Sequence, residues 1–205
     1  MTRGIVRDAT SFVFCLNHFF LSLFSLTICY QLGCRKVGIV GLGRIGLEVA
    51  KRLEAFGCAI SYFSRQKKSS IAYQFYADIY ELATNCDALI ICCPLNEQTR
   101  HLINKEVLMC LGDKGVIVNI ARGSVIVEKD LIEFLKQGKI AGAGLDVFDN
   151  EPGIDQEFIS LNNVVLTPHT GIFTEETFND MFELVCKNLE DFFTGKPLSS
   201  LVSLE

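Results

Sequence analysis

Gly41, Gly43 and Gly46 stand in a G-x-G-x-x-G array within residues 36–46 (KVGIVGLGRIG), a spacing that can hold a dinucleotide pyrophosphate. The first glycine permits a tight turn, the second lets backbone approach the anion, and the third lets a helix pack closely on a strand. Free N–H groups at the start of that helix then face the negative charge. Alone, the array also fits a structural glycine turn. Its context favours the nucleotide: residues 37–40 read as a buried strand, a helix opens at Arg44, and residues 48–56 (EVAKRLEAF) stay helical up to Gly57.

An acidic residue about 20 positions beyond the first glycine takes the ribose hydroxyls of NAD, whereas an Arg there accommodates the 2′-phosphate of NADP. The second strand, residues 59–63, runs into Ser64-Arg65-Gln66-Lys67-Lys68, with no acid. Ser64 can donate a hydrogen bond and Arg65 can pair with phosphate oxygens as a planar fork. A solvated basic loop is the plain alternative. The position of the run favours NADP, with NAD second.

Three more segments bring polar groups to strand ends: residues 119–123 (NIARG), 144–152 (GLDVFDNEP) and 167–171 (TPHTG). Each is ambiguous alone, because Arg before Gly, Glu before Pro and His after Pro all occur as ordinary turn residues.

Alternating elements position these segments. Residues 88–92 (ALIIC) form an apolar run suited to a strand buried on both faces. Further strands are expected at 116–119, 141–145 and 164–166, and helices at 105–111 and 129–137, the latter stopped by Gly138. Residues 71–80 carry aromatics and lead into a short helical stretch ending at Ala83. An amphipathic helix over 175–193, with Phe178, Phe182, Val185 and Leu189 on one stripe, ends at Gly195-Lys196-Pro197. The expected fold is α/β, a doubly wound parallel sheet of Rossmann type, with ligands beyond the carboxyl ends of its strands.

Composition narrows the function. A net charge of −5 and a pI near 5.3 argue against general affinity for nucleic acid. Nine cysteines without C-x-x-C pairs read as buried thiols of a reducing, cytoplasmic setting. With three histidines and no ligand-spaced cluster, no metal is expected.

Residues 11–30 (SFVFCLNHFFLSLFSLTICY) are almost wholly apolar apart from His18, and follow Arg3 and Arg7. A helix of that length would cross a bilayer, and the flanking bases also suit a signal peptide. No small-residue cleavage site follows, which disfavours secretion. The Phe, Leu, Ser and Cys richness equally resembles translated pyrimidine-rich noncoding sequence, the preferred reading over a membrane-associated or a core helix. A membrane partner is therefore not expected. Residues 1–33 are set apart, and residues 34–205 form the nucleotide-binding domain with its C-terminal helix.

Four motifs in order, GLGRIG, PLNEQTRHLIN from Pro94, NIARG with GAGLDVFDNEP, and TPH, resemble the D-isomer-specific 2-hydroxyacid dehydrogenases. Their plant hydroxypyruvate, glyoxylate and hydroxyphenylpyruvate reductases are the nearest match. The resemblance implies catalytic roles for Arg122, Glu151 and His169, and a nicotinamide contact for Asp146. It also implies cofactor contacts at Leu42, Arg44 and Ile45 in the glycine turn, at Gln66, and at Pro94, Ile120 and Gly171. Reducing a 2-oxo acid delivers hydride to a carbonyl carbon and a proton to its oxygen, so a group titrating near neutrality is needed. His169 would supply the proton, Glu151 would orient the imidazole and stabilise its cation, and Arg122 would bind the substrate carboxylate. His101 and His18 receive no role.

In the resembled family a substrate-binding portion precedes the glycine motif, and a helix between the domains forms much of the homodimer contact. Neither has a counterpart ahead of Gly41. The expectation is an NADP-dependent 2-oxo acid reductase weakened by that loss; the alternative is a non-catalytic dinucleotide-binding module of corepressor type.

Overall fold

A computed structural model of the chain describes residues 31–201; the apolar segment at 11–30, with His18, lies outside the described residues. Apolar runs bounded by turn residues form seven strands: β1 (Lys36–Val40), β2 (Ala59–Phe63), β3 (Gln74–Tyr76), β4 (Ala88–Ile91), β5 (Val116–Asn119), β6 (Gly142–Leu145) and β7 (Val164–Leu166). All pair in parallel, in the order β3-β2-β1-β4-β5-β6-β7. Strand order reverses on either side of β1, which is the switch point where such sheets bind ligands.

The helices are α1 (Arg44–Ala55), α2 (Ile79–Thr84), α3 (Lys105–Leu111), α4 (Glu128–Lys136), α5 (Gln156–Ile159) and α6 (Glu175–Phe193). Asp78, Asn104, Asp155 and Thr174 cap α2, α3, α5 and α6 by accepting backbone N–H groups. A parallel sheet needs cover on both faces, and alternating strand residues supply two cores. Leu89, Ile91 and Ile117 join Leu82, Leu108 and Leu131 in one; Ile90 and Val118 join Val49 and Leu53 of α1 in the other.

Register aligns the strand ends. Phe63 pairs with Val40, Val40 with Ile91, Ile91 with Asn119, Asn119 with Leu145, and Leu145 with Leu166. Every segment singled out from the sequence leaves this one row: the glycine turn from β1, Ser64-Arg65 from β2, Pro94 from β4, Arg122 from β5, Asp146 from β6 and His169 from β7.

Several expectations need correction. The aromatic stretch at 71–80 contains strand β3, whose Phe75 ring packs 5.4 Å from that of Tyr62; three residues are too few to display a strand period. The β4 strand stops at Ile91, β6 begins at Gly142, and α4 begins and ends one residue before the expected 129–137. Cysteine burial is uneven: Cys58, Cys86 and Cys93 are buried, but Cys34 is exposed. Helix α6 has the expected bounds, and its stripe faces outward, with Phe182 71% exposed; among the described residues only Thr177 of that helix is buried. No helix among the described residues is long and apolar enough to cross a membrane.

Candidate active site

The cofactor side is built from main chain. Gly41 takes φ +95°, and a Cβ there would stand 2.6 Å from Cα of Cys93. At Gly46 a Cβ would stand 2.3 Å from the Gly41 carbonyl oxygen, whereas nothing lies within 4 Å of one built on Gly43. Gly43 is the N-cap of α1 and supplies no side-chain cap. Two glycines are thus required by close packing, and the third leaves open space before an uncapped helix start, which fits an anionic pyrophosphate. Leu42 is buried beneath this turn, while Arg44 and Ile45 are exposed beside it.

Past β2, the Ser64 hydroxyl donates to the Gln66 carbonyl at 2.7 Å, leaving Arg65 and Gln66 exposed. The carbonyl of Pro94 accepts from the Thr99 hydroxyl at 2.6 Å, and Ile120 is half-buried. From β2 to β5 is three strand spacings, about 14 Å, which separates the Arg65 loop from the polar groups beyond β5 along one edge of the sheet.

His169 follows β7 with φ 54°, a left-handed conformation that costs a non-glycine residue about 1–2 kcal/mol. Hydrogen bonds that Asp146 accepts from this loop offset that cost. The His169 N–H donates to the Asp146 carbonyl at 2.8 Å, and Oδ1 of the Asp146 carboxylate accepts from the Thr167 hydroxyl and the Thr170 N–H. Its Oδ2 accepts from the Gly171 N–H at 3.2 Å, and a Cβ on Gly171 would stand 3.1 Å from that oxygen. Asp146, only 4% exposed, is therefore the frame of the loop that presents His169.

Nδ1 of His169 lies 2.7 Å from Oε2 of Glu151, whose Oε1 accepts the Phe148 N–H at 2.9 Å. An ionised carboxylate only accepts, so Nδ1 donates and Nε2 is left for proton exchange. Burial works to raise the Glu151 carboxyl, but the His169 and Phe148 hydrogen bonds and the charges of His169 and Arg122 outweigh it and hold the group below the ordinary carboxylate range.

Arg122 leaves β5 through a turn fixed by Asn119, which is 1% exposed, takes the Ala121 N–H and donates to the Arg122 carbonyl. The exposed guanidinium donates to the Ala121 carbonyl at 2.6 Å. Arg122 acts on Glu151 through charge, without a hydrogen bond between the two.

An apolar cavity of about 430 Å³ borders the pair, lined among others by Phe148, Pro152, Ile154, Leu166 and His169. Glu128 accepts the Asp149 N–H at 2.7 Å and Ser124 donates to the Asp149 carboxylate, so both clamp the loop carrying Glu151. Burial raises the Glu128 carboxyl, against the pull of that Asp149 N–H. Sequence reasoning missed Asn119, Glu128, Ser124 and Thr167; only the position of Asn119 and Thr167 next to strand ends pointed to them.

A family model described as the D-isomer specific 2-hydroxyacid dehydrogenase NAD binding domain matches residues 25–171. A glyoxylate/hydroxypyruvate reductase of Arabidopsis thaliana is 48% identical over 180 residues, covering 86% of this chain and 56% of that protein. The hydroxyphenylpyruvate reductase of Plectranthus scutellarioides is 52% identical over 164 residues, covering 80% of this chain and 52% of that protein. The chain thus spans about half the length of these relatives. Among solved structures, an NADPH-dependent glyoxylate/hydroxypyruvate reductase of Sinorhizobium meliloti in complex with NADP and malonate is 34% identical with a TM-score of 0.90, over 99% of this chain and 68% of that one. A domain match across most of the sheet, and a fold that superposes throughout on a relative one-third identical, lead to one assignment: the chain belongs to the D-isomer specific 2-hydroxyacid dehydrogenase family, in its NAD binding domain.

Proposed function

We propose that this chain supplies the cofactor-binding and acid–base part of an NADP-dependent reductase of small 2-oxo acids, with hydroxypyruvate, glyoxylate and hydroxyphenylpyruvate as the substrate class. The observation that carries this is the 2.7 Å pair of His169 and Glu151 at the β7 end of the same row of strand ends that carries the Gly41 turn. Gly41, Gly43, Gly46, Arg44 and Ile45 would hold the pyrophosphate, with Leu42 packed beneath; Arg65 and Gln66 would hold the 2′-phosphate on the turn that the Ser64 hydroxyl shapes; Pro94, Ile120, Asp146 and Gly171 would border the nicotinamide half. When bound, the cofactor supplies the hydride. Nε2 of His169 gives the proton to the carbonyl oxygen, Glu151 keeps the imidazole oriented and stabilises its cation, and Arg122 binds the substrate carboxylate. The named activities of the Arabidopsis, Plectranthus and Sinorhizobium proteins support this reading.

Arg122 and His169 are both exposed among the described residues, and water weakens electrostatic stabilisation at such groups. Turnover by this chain alone is accordingly expected to be low. That exposure also favours a second reading, a dinucleotide-binding module that does not turn over.

The test titrates the full chain with NADPH and NADH by nicotinamide fluorescence, then assays hydroxypyruvate reduction. Preference for NADPH with turnover abolished in His169→Ala supports the reductase. Binding of NADPH without detectable turnover supports the module, and equal affinity for both cofactors overturns the NADP assignment.

A further inference from the structure

We propose that the hydroxyl of Tyr62, which touches no part of the expected ligand, is the positioning group that orders the 64–68 loop for the 2′-phosphate; this rests on the NADP reading above. Tyr62 is 0% exposed and its ring packs against Phe75, so the side chain belongs to the core. A phenylalanine would fill the same volume. The hydroxyl adds a polar atom to a buried place, which is unfavourable unless it is hydrogen-bonded. Its bond goes to the loop: Oη accepts the Lys68 N–H at 2.9 Å, six residues along the chain.

That bond closes a ring. The loop starts at Phe63, whose carbonyl accepts the Gly41 N–H at 2.9 Å, so its entry is tied to the glycine turn. Ser64 donates to the Gln66 carbonyl at 2.7 Å and shapes the first half, and Tyr62 fixes the return at Lys68. Arg65, Lys67 and Lys68 therefore project from a short segment anchored at both ends, and residues 64–77 contain no Asp or Glu. A cationic loop held in place before binding loses less conformational freedom on meeting a dianionic phosphate than a loose one. A cofactor lacking the 2′-phosphate gains nothing from this order, so the tyrosine acts on discrimination between cofactors.

The experiment measures Kd for NADPH and NADH on the full chain, its Tyr62→Phe and Arg65→Ala variants, and the pair Lys68→Ala and Lys68→Pro. Tyr62→Phe is expected to weaken NADPH about three- to tenfold, the worth of one hydrogen bond, while NADH changes less than about twofold. Lys68→Pro removes the N–H without touching the core, and is expected to weaken NADPH by a similar factor relative to Lys68→Ala, which removes only the charge. If the unmodified chain prefers NADPH and Arg65→Ala abolishes that preference, but Tyr62→Phe leaves NADPH affinity unchanged or weakens both cofactors equally, the positioning role is wrong and the cofactor reading survives. No preference in the unmodified chain overturns both.

Discussion

The main chain of Gly123 lies so close to Phe148 that a Cβ on the glycine would stand 1.9 Å from the Phe148 carbonyl carbon. Arg122 precedes that glycine, and Glu151 lies three residues beyond Phe148, so one backbone contact brings together the two segments that carry the guanidinium and the carboxylate. The Ser124 hydroxyl donates to the Asp149 carboxylate and Glu128 accepts the Asp149 N–H, which ties the segments after Gly123 to the same loop.

Gly123→Ala is therefore expected to force the 148–149 backbone away, because no rotamer can relieve a Cβ clash with main chain. The expected loss is about 2–4 kcal/mol in urea unfolding, with NADPH affinity changed less than stability. An unchanged urea midpoint would contradict the contact.

Asp146→Asn keeps the shape of the side chain but replaces an oxygen that accepts from the 167–171 loop with an amide that donates. One of the bonds to Thr167, Thr170 or Gly171 is lost, at about 1–3 kcal/mol. Hydrogen exchange should rise selectively at residues 167–171. Uniform exchange across the sheet would count against Asp146 as the frame of this loop.

Glu151 gives a pH signature whose sign follows from its depressed folded value. Between the folded and unfolded values the unfolded chain binds more protons, so stability rises with pH. The contribution is complete above the unfolded carboxylate value of about 4.3 and is lost as pH falls through the lower folded one. Urea midpoints for the unmodified chain and Glu151→Gln should differ near neutrality and converge on acidification. A gap that stays constant into the acid range would mean that the His169 pairing does not favour the ionised form.

Gly43 and Gly46 should separate binding from folding. Nothing lies within 4 Å of a Cβ at Gly43, so Gly43→Ala should move the melting temperature only slightly and weaken NADPH at least about tenfold by occupying the space beside the helix start. Gly46→Ala meets the Gly41 carbonyl and should destabilise the fold itself. Equal effects of the two on NADPH affinity at constant stability would refute this division.

Much of the sheet was legible because buried parallel strands read as apolar runs between turn residues; 59–63, 116–119 and 164–166 form strands with the expected bounds. The glycine turn was legible for the same local reason. Strand β3 was not, since three residues carry no period and its pairing depends on β2 lying beside it. The candidate site was legible as residue types at strand ends, not as contacts. Nothing in the string places the Asp146 carboxylate inside its own loop, presses Gly123 on Phe148, or gives the Tyr62 hydroxyl a use, because each partner is set by tertiary packing. The apolar stripe of α6 was read correctly as a stripe, but periodicity says nothing of what covers it.

The row of paired strand ends from Phe63 to Leu166 makes the geometry of the site a property of the sheet and leaves its chemistry to the loops. Slipping one strand by a residue would shift its segment by about 3.3 Å and turn its core side chains to the opposite face, so register is guarded by the whole domain. Substitutions at exposed loop positions beyond the row, such as Arg65 and Gln66, leave register untouched. New ligand preferences can therefore arise one loop at a time, from Ser64 to Thr167, on a ruler that selection for folding keeps constant.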